Sequence, residues 1–198
     1  MREICKKYGL QKISFSVNKQ DYDEIVPESF RKDSGWYHYT WAIRHILAHT
    51  AQWHIGQGIN HPLEYVFDWM GEKRKNPRRK EIEDVMDQAE EDAAAKGRAD
   101  EYEHWSFRRR AEVPGLQCVE ALAWTVYQYG LLAFYKKPLT RDAQIAWNDF
   151  GKDVGGPWGF DVTVARENLK KWIGKESADG ISVKRFAAWR EKKHQSPK

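Results

Sequence analysis

Apolar and polar positions alternate from Lys12 to Val17: Ile13, Phe15 and Val17 stand against Lys12, Ser14 and Ser16. That period of two predicts a half-buried strand. Residues 18–35 are polar and punctuated by Pro27 and Gly35, so they are expected to be loop, with Asp33-Ser34-Gly35 as a turn and cap. From Tyr37 to about Gly56 the period lengthens, and Tyr39, Ile43, Ile46, Leu47, Thr50 and Trp53 fall on one helical face. Leu63 to Phe67 reads as a short buried strand ending at Asp68. Asn76-Pro77 then has the form of an N-cap followed by proline at the first helical position. That helix runs through Ile82, Val85, Met86, Ala89 and Ala93 and stops at Gly97.

His104 to Arg110 alternates weakly and suits an edge strand. After Pro114-Gly115 the most apolar helix of the chain runs to about Tyr135. The order is strand, helix, strand, helix, strand, helix, which predicts an α/β domain over residues 1–138. Beyond Pro138, helices capped by Thr140, Thr163 and Ser182 are expected, with residues 151–159 as a glycine- and proline-rich link. From Ala165 onward ten Lys/Arg face four Asp/Glu, so residues 139–198 read as a basic, mainly helical extension.

The bulk numbers change this picture little. A chain of 198 residues with 41% hydrophobic positions can build one sizeable core. A formal charge of +4 allows a polyanionic partner without demanding one. Cys5 and Cys118 have neither metal-ligand nor disulfide spacing, which fits a reducing cytoplasm. No apolar run of 18 residues exists, so no membrane span is expected.

Candidate chemistry lies in three places. On the apolar helix Gln117, Glu120, Trp124 and Tyr127 share a face. A carboxylate in such a run marks either a functional surface or the solvent edge of the helix. Asp68, at a strand end, has Glu72 close by in sequence. Two or three such carboxylates can hold Mg²⁺ or Mn²⁺ through oxygen ligands, and such ions drive phosphodiester hydrolysis. Lys73, Arg74, Arg108 and Arg110 could contact a phosphate backbone, a solvated surface being the default for such runs. His38, His45 and His49 flank the apolar face of their helix, and His45 with His49 has the spacing to share a metal. Position 46 is Ile where a zincin has an acid, so a stripe between core and solvent is favoured. Cys118 reads as a small buried apolar residue.

The stretch Pro114-Gly115-Leu116-Gln117-Cys118-Val119-Glu120-Ala121-Leu122-Ala123-Trp124 resembles the C-terminal motif of the domain-of-unknown-function 3800 family, which typically runs Leu-Gln-x-x-Asp-x-x-Ala and then an aromatic residue. Tyr65-Val66-Phe67-Asp68 is similar to that family's central strand, and Tyr37-His38-Tyr39 with its helix to another segment, so that the resemblance covers about residues 10 to 135. It implies a ribonuclease H-like fold and a metal site in which Asp68 is the fourth-strand ligand, Glu120 the last-helix ligand and Gln117 a supporting polar group. Two positions depart from the pattern. No Asp-Glu-Ser-Gly strand precedes Ile13, and Glu stands at 120 where Asp is usual. The resemblance thus implies a divalent-metal-dependent nuclease lacking its first strands and first carboxylate. The alternatives are a non-catalytic nucleic-acid-binding or phage/defence accessory module and a scaffold that docks another chain through its aromatic faces.

Overall fold

The computed structural model describes residues 12–59, 61–71, 75–98, 102–150 and 160–179. Its elements are β1 (Ile13–Val17), α1 (Lys19–Ile25), α2 (Glu28–Ser34), α3 (His38–Gly56), β2 (Leu63–Asp68), α4 (Pro77–Ala95), β3 (Tyr102–Arg108), α5 (Pro114–Tyr135), α6 (Arg141–Phe150), β4 (Phe160–Val164) and α7 (Arg166–Asp179). The mixed α/β class matches the expectation. Among the described residues the strands form two parallel pairs, β1 with β4 and β2 with β3.

Several elements begin where local chemistry says they should. The Asn76 side chain accepts from the N–H groups of Arg78 (3.1 Å) and Arg79 (3.4 Å), satisfying donors that the first turn of α4 leaves over. Thr140 Oγ1 accepts from Ala143 N at 3.2 Å and caps α6 in the same way. At the far end of α4, Gly97 takes φ 71°, the left-handed conformation that ends a helix cheaply.

Two expectations need correction. The polar stretch 18–35 is two short helices, not loop. Asn18 caps α1, and Tyr22, Val26 and Phe30 recur every fourth residue and are all buried. Phe160 to Val164 is a strand rather than the approach to a helix capped by Thr163. Phe160, Val162 and Val164 alternate as a strand's apolar positions do, and Val164 is buried opposite Val17. β4 and α7 pack Val164, Leu169 and Ile173 against Tyr22, Val26, Phe30 and Trp41. The helix placed after Ser182 and the link at 151–159 lie outside the described residues.

α3 is the spine of the molecule. Trp41 faces the cluster built on β1 and β4, while Ile43 and Leu47 turn the other way. There they join Ile82, Val85 and Met86 of α4 under Tyr65, Phe67, Trp105 and Phe107 of the second strand pair. Residues two apart on a helix point to nearly opposite sides, so one helix serves both cores. Against β1, between α3 and α5, lies a cavity of about 640 Å³. All five residues of β1 line it. Successive strand side chains point to opposite faces, so a cavity that touches all five runs along the strand's edge.

Candidate functional site

The second strand pair ends in a corner where three polar segments meet. Asp68 closes β2, and its Cα partner across the ladder is Arg108 at the end of β3. Parallel strands leave their carboxyl ends facing the starts of the helices that follow, which is where ligands collect in α/β folds. Here those starts are α4, with Lys75 and Arg78 exposed, and the Arg109–Val113 turn that leads into α5. The start of α3 joins the corner. The guanidinium of Arg78 lies 5.4 Å from the centre of the Tyr37 ring, and Tyr39 is within electrostatic reach of both Asp68 and Arg78. Partial burial raises the Tyr39 phenol above its ordinary pKa, the Asp68 charge adds to the rise, and Arg78 opposes it.

Two side chains, Glu81 buried and Arg79 half-buried, pin the backbone of this corner, and sequence reasoning found neither anchoring role. Glu81 of α4 accepts from Trp36 N (2.8 Å), Tyr37 N (3.3 Å) and Thr40 Oγ1 (2.6 Å), tying down the turn that opens α3. Gly35 completes this joint at φ 114°, where an added Cβ would sit 2.5 Å from Thr40 Cγ2. Arg79 pins the other side. Its guanidinium lies between the rings of Trp69 (4.6 Å) and Phe107 (4.5 Å), pairs with Glu83 at 3.1 Å and donates to Gly71 O at 2.7 Å. One signal for Glu81 was available: Glu81, Asp84 and Gln88 repeat at helical spacing, and all three are buried.

Among the described sequence-predicted site residues, Asp68, Gln117 and Glu120 each have a local partner. Asp68 Oδ1 accepts from Trp69 N at 2.9 Å. Glu120 forms an ion pair with Arg110, and Gln117 Nε2 donates to Arg110 O at 3.4 Å, so this pair converges on an arginine. With Trp124 they line a shallow pocket on α5. Arg108 and Arg110 are both exposed, and Cys118 is half-buried rather than buried. Glu72, Lys73 and Arg74 lie outside the described residues. Among the described residues no three His, Cys, Asp or Glu side chains form a group able to hold a metal. Glu120 has Arg110 as its ion-pair partner, and Glu72, the third expected Mg²⁺ or Mn²⁺ ligand, is among the residues not described.

The histidines form the expected stripe between core and solvent: His38, His45 and His49 are all half-buried. His45 stacks on Phe15 at a centroid distance of 4.8 Å and an interplanar angle of 2°, faces Trp172 at 5.2 Å and meets the edge of Trp41 at 4.6 Å. Burial, with positive charge from His49 and Arg44, pushes its pKa down to about 4. His38 meets Tyr22 edge-on at 6.2 Å, and burial and Arg78 lower its pKa too. No helix among the described residues is long and apolar enough to cross a membrane.

The sequence matches no family model, no curated protein and no solved structure.

Proposed function

We propose that the chain is a non-catalytic nucleic-acid-binding module that engages the phosphate backbone at the carboxyl ends of β2 and β3. The observation that carries this reading is the exposed arginine rim. Arg108 stands across the ladder from Asp68, Arg109 and Arg110 follow it, and Arg78 extends from the start of α4 beside Tyr37. Guanidinium groups suit phosphate because their planar fork donates two parallel hydrogen bonds. Asp68, Glu112 and Glu120 stand within this rim and set its polarity locally, Glu120 by holding Arg110.

The nuclease alternative keeps the same surface but needs Asp68 and Glu120 on one Mg²⁺ or Mn²⁺ ion. Each has another local partner, which is why binding is the better-supported reading. A ribonuclease H-like arrangement is compatible with this proposal and not required by it.

The test is fluorescence anisotropy with a labelled oligonucleotide at about 50 mM and about 200 mM salt, since phosphate contacts make log affinity fall by ~0.9 per contact for each tenfold rise in salt. The chain should bind at low salt. The combined variant Arg78→Ala, Arg108→Ala and Arg110→Ala should lose tenfold or more and flatten the salt slope by about three contacts. Asp68→Asn and Glu120→Gln should bind at least as tightly as the parent. No binding at low salt would overturn the proposal. Cleavage in Mg²⁺ or Mn²⁺ that both carboxylate variants abolish would replace it with the nuclease reading.

A further inference from the structure

Resting on that reading of the arginine rim, we infer that the strand it takes is single, with unpaired bases stacking on Trp36, Tyr39 and Trp69. All three rings are exposed, at 41%, 42% and 41%, while Trp124, Tyr127 and Tyr135 on α5 are more exposed still. Trp36, Tyr39 and Trp69 belong to the one corner already described. Trp36 and Tyr39 flank the start of α3. Trp69 directly follows Asp68, whose charge acts on Tyr39. Scattered exposed aromatics are ordinary, and exposure alone would carry nothing. What separates these rings is how firmly their supports are held.

The two segments that bear them are anchored from beneath by buried or half-buried groups. Glu81 takes three donors from residues 36–40, which fixes the backbone under Trp36 and Tyr39. Arg79 and Asn76 hold the Trp69 turn from the other side, through Gly71 O at 2.7 Å and Met70 O at 2.5 Å. Cations also stand against two of the rings: Arg31 lies 5.4 Å from the centre of Trp36, and Arg79 lies 4.6 Å from that of Trp69. A ring held this way loses little freedom when a flat ligand lands on it, so the ordering cost of binding is largely met in the free protein.

Exposed aromatic rings beside phosphate-binding arginines suit a nucleic acid whose bases are accessible. In a duplex the bases are stacked on one another and show only their edges. In a single strand each base has a face free for an aromatic platform. The rim accounts for contact with any polyanion, and the platform adds the preference for unpaired strands.

The experiment compares a labelled single-stranded oligothymidylate with a hairpin duplex of equal charge, on the full chain and at one salt concentration. The single strand should bind at least tenfold more tightly. Trp36→Ala, Tyr39→Ala and Trp69→Ala should each weaken it roughly fivefold to a hundredfold, the range expected for one lost base–aromatic stack. Their duplex affinity and salt slope should stay unchanged. Trp36→Phe should retain most of the preference, and thermal melting of each variant checks that it folds. In the parent, binding the single strand should quench tryptophan fluorescence, and the duplex should not. Equal affinity for both probes with an intact salt slope would overturn the platform and leave the rim standing. Binding of neither probe would overturn both, and loss of duplex affinity in the ring variants would assign the rings a structural role instead.

Discussion

The two cores on either side of α3 solve burial in different ways. The β1/β4 side is aromatic. Phe15, Trp41 and Trp172 surround a histidine that behaves as one more ring, and the cluster is closed by β4 and α7 from far along the chain. The β2/β3 side is more aliphatic beneath its strands, yet its helix α4 buries Glu81, Glu83 and Asp84 beside Ile82, Val85 and Met86. Glu81 is tolerated there because three donors meet it, and a buried carboxylate without such donors would be expensive. The aromatic side therefore holds the fold together by packing. The other side spends part of its core on polar joints that fix an exposed corner, and that is the side to which the candidate site belongs.

The sharpest way to break this contrast is to remove the ring at the centre of the aromatic side. Trp41 is almost fully buried and touches Phe15, Tyr22, His45 and Trp172. Trp41→Ala should cost about 3–5 kcal/mol, the usual range for deleting a large core ring. Urea unfolding followed by circular dichroism would measure it. A loss below about 1 kcal/mol would mean that the cluster is not a packed core.

A smaller effect comes from acid. His45 is neutral in the fold down to about pH 4, whereas in the unfolded chain it titrates near 6.5. Between those values the unfolded state binds more protons, so stability rises with pH across that window and is lost as pH falls through it. His49 and Arg44 on the same helix push in this direction, and the rings of Phe15, Trp41 and Trp172 offer no counter-charge. The difference between about pH 4 and pH 7 should reach roughly 2–3 kcal/mol from His45, with His38 adding in the same sense. His45→Phe keeps the stack and removes the proton site, so it should flatten the curve. An unchanged pH dependence in that variant would show that other groups set it.

These differences also explain what could be read from the chain. Strong periodicity gave α3, α4 and α5, and the caps at Asn76 and Thr140 gave the starts of α4 and α6, because each signal is local. The helices α1 and α2 were hidden because their apolar stripe is only Tyr22, Val26 and Phe30, set among charges. β4 was hidden because its five residues gain their meaning from β1, about 147 residues earlier in the register Ile13 to Phe160. For the candidate site, Asp68 was legible at its strand end and Arg108 only as part of a basic run, and the two are Cα partners across the ladder. The anchoring roles of Glu81 and Arg79 were not legible, because they depend on donors and rings from other segments. The exposed rings of Trp36, Tyr39 and Trp69 were equally opaque, since the same residue types serve as core a few positions away at Trp41.

The smallest expected effect is at Glu120. Its ion pair with Arg110 is 56% exposed on both sides, and such pairs contribute about 0–1 kcal/mol because solvent screens them and both side chains must be held still. Glu120→Gln should therefore leave the urea midpoint almost unmoved while releasing Arg110 from its carboxylate. On the arginine-rim reading, that release should tighten oligonucleotide binding at low salt and change little at high salt, where the rim is screened. The two readouts separate the regions compared above. If Glu120→Gln instead destabilised the fold by several kcal/mol, its carboxylate would belong with Glu81 among the polar joints of the core, and the corner's boundary would have to be redrawn to include the start of α5.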